Sequence, residues 1–146
     1  MKRHTQVKRI RHWHALLALP YEPSAAWHRD RLREEQAERR GTTTRLTRLS
    51  ETADVFFTIS RARYDMGATR GLPDASAAVL LYMVAKFSLR WTFYRIVAFA
   101  CGARGDRLRR VREVVNPGKM SKVNEVAGRH GLDREAFARW AGRVRA

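Results

Sequence analysis

The sequence predicts an all-α protein: a compact bundle of about five to seven helices around a central apolar helix at about 75–102, closed by a helical hairpin at 119–146. Two observations carry this reading. Apolar residues recur at three- and four-residue steps through most of the chain, while proline and glycine fall where helices would end. No segment combines the period-two alternation and the turn chemistry of a strand.

Taken in order, residues 1–23 form a basic amphipathic segment, with 24–146 as a single helical domain. Lys2, Arg3, Lys8, Arg9 and Arg11 precede the first carboxylate, Glu22, and Val7, Ile10, His14 and Leu17 fall at helical spacing. The segment lacks the apolar run of a secretory signal but has the acid-free character of a mitochondrial presequence; the alternative is an ordinary basic first helix. Pro20 and Pro23 interrupt it, Ser24 offers an N-cap, and Ala25 to Arg40 reads as a charged surface helix ended by Gly41.

Thr42, Thr43 and Thr44 connect to a second amphipathic helix, in which Leu46, Leu49, Ala53, Phe56, Ser60 and Tyr64 make one stripe. A loop follows at 66–74. Residues 75–102 are the most apolar stretch and are expected to be buried, with Lys86, Arg90 and Arg95 inside it opposing a membrane span. Beyond Gly105, Asp106 is a possible cap, and Arg107, Arg109, Arg110 and Arg112 interleave with Leu108, Val111, Val114 and Val115. Asn116-Pro117-Gly118 is expected to turn.

Charge narrows the class of partner. Thirty Lys and Arg against fourteen Asp and Glu leave +16, and 25 of the basic residues are arginine. Residues 1–50 and 101–146 each carry 12 basic and 5 acidic groups, whereas 51–100 carry 6 and 4. Such a surface favours nucleic acid first, then an acidic protein or an anionic membrane. Arginine's planar fork suits phosphate oxygens and base stacking, although GC-rich coding also enriches arginine without functional pressure.

Catalytic chemistry finds little support, and the expectation is a non-enzyme with no cofactor or metal. Cys101, the only cysteine, lies in an apolar run where it would be packed and poorly ionised. Ser50, Ser60 and Ser88 show no base partner, and Glu34 and Glu35 sit in a charged helix facing water. His12 and His14, two apart on a helix, point about 200° apart and cannot share an ion. Trp91, Phe93, Tyr94 and Phe99 could stack bases, but their helical spacing suits a core equally.

The run from Val123 to Trp140 resembles the helix-turn-helix of DNA-binding proteins. Ala127 matches the small residue at the helix crossing and Gly131 the turn glycine. Leu132, Phe137 and Trp140 match the apolar pins, and Asp133 can cap the second helix. His130 departs from the pattern, occupying a position where an aliphatic residue is usual. The resemblance implies that Arg134, Glu135 and Arg139 lie on the exposed face of the second helix. Lys119, Lys122, Arg129, Arg143 and Arg145 would contact phosphates, with Arg107, Arg109 and Arg110 adding basic contacts upstream. Segments such as Leu19-Pro20-Tyr21-Glu22-Pro23-Ser24 and Arg90-Trp91-Thr92-Phe93-Tyr94-Arg95 are similar to small basic proteins of filamentous fungi, a resemblance that brings no activity with it.

The expected function is therefore a non-catalytic nucleic-acid-binding accessory protein of the mitochondrial matrix or nucleus. The alternatives are an assembly subunit of a mitochondrial complex and a peripheral binder of anionic membranes.

Overall fold

The computed structural model describes residues 3–17, 19, 21, 24–68, 72–89, 91–129, 131, 133 and 135, with backbone alone at 3–5, 91, 119, 123, 126 and 127. Among these residues all regular structure is helical. The elements are α1 (Arg3–Leu17), α2 (Ala25–Arg40), α3 (Arg45–Asp65), α4 (Ala77–Leu89), α5 (Trp91–Ala100), α6 (Asp106–Arg110), a π-helical segment (Val111–Val115) and α7 (Asn116–Arg129). With Asp106 to Arg129 taken as one continuous run, the six helices match the all-α bundle that the sequence predicts. The chain divides into two compact units, Met1–Val84 and Ala85–Ala146. Helix α1 belongs to the first unit.

In the first unit, α2 and α3 form a helical hairpin with well-made ends. The Ser24 hydroxyl accepts from Trp27 N–H at 3.1 Å, and Gly41 N–H closes the other end on Ala37 and Glu38 carbonyls. Thr44 and Thr47 cap α3 reciprocally: Thr47 N–H donates to Thr44 Oγ1 at 3.1 Å, and Thr44 N–H to Thr47 Oγ1 at 3.2 Å. These local bonds supply partners for donors that a helix start otherwise leaves open. The stripe on α3 then turns inward: Ala53, Phe56 and Ser60 are buried and Leu49 and Tyr64 half-buried, while Leu46 is exposed.

Helix α1 lies on α3 through buried Ile10, His14 and Leu17. Trp13 meets Phe57 edge-on at 6.1 Å, and His14 sits 5.4 Å from the rings of both Phe57 and Tyr64. The Ser60 hydroxyl donates to the Phe57 carbonyl at 3.0 Å, so it accepts from His14 Nε2–H at 2.9 Å. His14 is thus a core residue held as a neutral ring. Arg11 reaches over the Tyr64 ring and donates to the Ala68 carbonyl at 3.2 Å, fastening the chain beyond α3 to α1.

A buried ion pair completes this core. Arg61 Nε donates to Asp65 Oδ2 at 2.7 Å, and His28 Nε2 of α2 lies 3.4 Å from the same oxygen. Arg61 also reaches the Leu19 carbonyl at 3.5 Å and lies over Tyr64. One carboxylate therefore gathers groups from α2 and α3, and its guanidinium partner touches the segment after α1.

Five sequence expectations need correction. The stretch 75–102 carries α4 and α5, with residue 90 between them outside the described residues, and it is not buried throughout. Its apolar residues are consecutive, so they point all round the helix and one contact cannot cover them: Met83 is 0% exposed and Leu81, two residues away, 72%. Lys86 is buried near the Phe87 and Tyr94 rings instead of reaching solvent, and Cys101 is exposed instead of packed. Asn116-Pro117-Gly118 does not turn but opens α7. Proline lacks a donor and is tolerated in a first helical turn, and the π segment before it shifts the bonding, with Asn116 N–H donating to Val111 O. Helix α2, expected at the surface, buries His28 and Glu35. Among the described residues no helix is long and apolar enough to cross a membrane.

Two outcomes follow from the polar core. Asp65→Ala leaves the Arg61 charge buried without its carboxylate and should cost about 3–5 kcal/mol in urea unfolding, whereas Arg61→Met with Asp65→Leu should recover most of that loss. The second concerns acid. Burial, assisted by the Arg61 charge and opposed by Asp65, lowers the pKa of His14 from 6.5 to about 4. The unfolded chain takes up this proton near pH 6.5 and the folded chain refuses it until near pH 4, so stability is full above that window and falls as pH drops through it. Unfolding measured at both ends should show the parent losing about 2–3 kcal/mol more than His14→Gln.

Candidate nucleic-acid interface

The arginine-rich segment of the second unit is built from the end of α5. Gly102 N–H bonds Phe99 O at 3.0 Å and Ala103 N–H bonds Ala98 O at 2.9 Å, with Gly102 at φ 89, a Schellman ending that needs a left-handed residue. Arg104 then folds back: its Nη1 donates to Phe99 O and Ala103 O, each at 2.8 Å, and its guanidinium lies 4.0 Å from the Phe99 ring centroid. A positive group thus meets the carbonyl end of α5, where the helix dipole favours it. Gly105, at φ 52 and ψ −126, reverses the chain, and its carbonyl accepts from Leu108 and Arg109 N–H to start α6.

From this start the chain runs helically to Arg129. Leu108 and Val111 are half-buried, and Arg107, Arg109, Arg110 and Arg112 are exposed. Arg109 is flanked by Asp106 at 3.2 Å and Glu113 at 3.6 Å, an exposed network that holds it only weakly. Arg107, Arg110 and Arg112 have no ionic partner among the described residues. Arg112 was absent from the sequence-based set. It is exposed as Arg110 is, and the turn that carries it is π-helical.

Farther along, Lys122 is half-buried and Arg129 exposed; Lys119 lies on α7 with its side chain outside the described residues. Gly131 has φ 66 and its N–H bonds Gly128 O at 3.3 Å, just past the end of α7. Asp133 and Glu135 are exposed. Arg134, Arg139, Arg143 and Arg145, with His130, Leu132, Phe137 and Trp140, lie outside the described residues, as do the side chains of Val123, Val126 and Ala127. The structure therefore brings Arg107, Arg109, Arg110 and Arg112 together on two turns and adds Arg129 at the far end of the run.

Chemically, this is a set of fixed donors for anionic oxygens, with no nucleophile and base among them. The three carboxylates that come closest together, Glu35, Glu38 and Glu51, have ligand oxygens within 4.8 Å of one another in the first unit, and Arg31 already bonds Glu35.

The reversal at Gly105 gives a direct test of how the segment is held. No atom lies within 4 Å of a Cβ added there, so Gly105→Ala meets backbone strain without a clash. It should lower stability by about 1–3 kcal/mol in thermal or urea melts.

Compared with known proteins, the chain matches no protein-family model, no curated protein and no solved structure.

Proposed function

We propose that the chain is a non-catalytic nucleic-acid-binding accessory protein that grips the phosphate backbone through arginines of its second unit. The observation that carries this reading is the exposure of Arg107, Arg110 and Arg112 without ionic partners in a chain of net charge +16. Arginines not neutralised by the protein are available to displace counterions from a polyanion, which supplies most sequence-independent affinity. Lys122 and Arg129 extend the same run. The helix-turn-helix-like hairpin, with Arg134, Glu135 and Arg139 on its second helix and Lys119, Arg143 and Arg145 beside phosphates, would add base-edge contacts. The compartment proposed with it is the mitochondrial matrix or the nucleus, and a fluorescent fusion of the full chain reports it directly.

A second reading, an assembly subunit binding an acidic protein, is favoured by the exposed side chains of Ile96, Phe99, Val114 and Val115 in the same unit. These would supply the apolar centre that a protein interface needs.

Fluorescence anisotropy with labelled duplex DNA and structured RNA across a salt series separates the readings. The parent should bind at least one of them, with affinity falling steeply as salt rises. Arg107→Ala with Arg110→Ala and Arg112→Ala should flatten the log–log salt slope on a duplex by about 2–3, at about 0.9 per lost phosphate contact. No binding of either nucleic acid at moderate salt would sink the proposal.

A further inference from the structure

The α2–α3 hairpin sorts its charges by burial. From 24 to 65 the sequence holds nine arginines and seven carboxylates, a nearly balanced set that reads as a neutral, solvated helix pair. In the structure none of those carboxylates is fully exposed: Glu35 and Asp65 are buried, and Asp30, Glu34, Glu38, Glu51 and Asp54 half-buried. Arg29, Arg33, Arg39, Arg40, Arg45 and Arg48 are all exposed. The acids are drawn inward by particular bonds, Arg31 holding Glu34 and Glu35, and Arg61 holding Asp65. The outward surface consequently presents guanidiniums ahead of the carboxylates beneath them.

The arginines also have an order. Arg29, Arg33, Gln36 and Arg40 recur at helical steps and fall within an arc of about 60° on α2, over roughly 16 Å of helix axis. Arg45 and Arg48 continue from the first turn of α3, directly after the turn at 41–44. Arg33 pairs with Asp30 at an exposed site and Arg39 bonds Thr52, but Arg29, Arg40, Arg45 and Arg48 have no partner among the described residues.

We infer that this arginine stripe is a second phosphate-binding surface, separate from the arginines of α6, which contacts the sugar–phosphate backbone of the same nucleic acid. The inference rests on the proposed function and adds to it where a second part of the footprint lies. Its chemistry selects this partner. The exposed residues interspersed with the arginines are Gln36, Ala37, Gly41, Thr43, Thr44 and Thr47, with Leu46 the one large apolar side chain. A membrane-surface helix buries a row of apolar side chains, and a protein interface needs an apolar centre. A polar, strongly basic face of planar guanidiniums is what a phosphate backbone requires. Contacts of this kind fix position and carry no sequence preference.

The test uses the full chain with a labelled duplex of about 20 base pairs, roughly two helical turns, titrated across a salt series. R29Q/R40Q/R45Q/R48Q should flatten the log–log salt slope by about 3–4. R29K/R40K/R45K/R48K should keep the slope within about one of the parent, which separates lost charge from lost packing. A glutamine variant with the parental slope, alongside a flattened slope for R107A/R110A/R112A, would overturn the inference while leaving the proposed function standing. A parent that binds no nucleic acid at moderate salt would overturn both. If polyglutamate binds the parent as tightly as the duplex and is lost equally in the glutamine variant, the stripe is an acidic-protein site and the inference falls.

Discussion

The first unit depends on a single buried oxygen. Asp65 Oδ2 holds Arg61 one turn before it on α3 and faces His28 of α2, while Arg61 touches the carbonyl of Leu19 beyond α1. Withdrawing two charges from water costs several kcal/mol per ion, and only good geometry with further polar partners offsets it. The pair is therefore better described as specifying the helix arrangement than as adding net stability. A packing that separated α2 from α3, or slid either by a turn, would keep Arg61, on the same helix, but take His28 away from that oxygen. His14 and Ser60 add a second polar contact to α3, where a neutral imidazole donates to a hydroxyl among aromatic rings.

The same inward pull explains how a protein of high positive charge holds itself together. Repulsion among thirty cationic side chains opposes the compact state. Keeping the carboxylates of α2 and α3 close to the helix interface puts negative charge beneath the exposed guanidiniums, where it offsets their mutual repulsion. The guanidiniums still face solvent and can exchange water for phosphate. Stability and binding then draw on the same residues in different ways: the acids work within the fold and the arginines outside it.

Much of the fold was legible in the sequence where the signals were local. Ser24 and Gly41 bracket α2 to the residue, and the threonine connection ends at Thr44, the N-cap of α3. Local signals misled where a longer-range factor decided the outcome. Asn116-Pro117-Gly118 is a turn signal in isolation, but the π segment ahead of it lets the helix continue. The apolar density of 75–102 predicts burial, yet Leu81, Leu89, Ile96 and Phe99 are exposed, since a helix apolar on every side is buried only where neighbours surround it. For the candidate site, the exposure of Arg107, Arg109 and Arg110 followed from their interleaving with Leu108 and Val111. The sorting of charge on α2 and α3 did not, because a helical sequence does not say which of its charged faces a neighbour will cover.

The π segment has a further meaning for the run from Asp106 to Arg129. A π turn takes up one residue more than the α-helical winding around it. Deleting a single residue within 111–115 would let ordinary winding resume with α7 still at its bearing on α6. The same deletion in the α-helical turns that follow would swing everything beyond it by about 100°. This short window is thus where the run can lose a residue without turning Lys122 and Arg129 away from the bearing they hold.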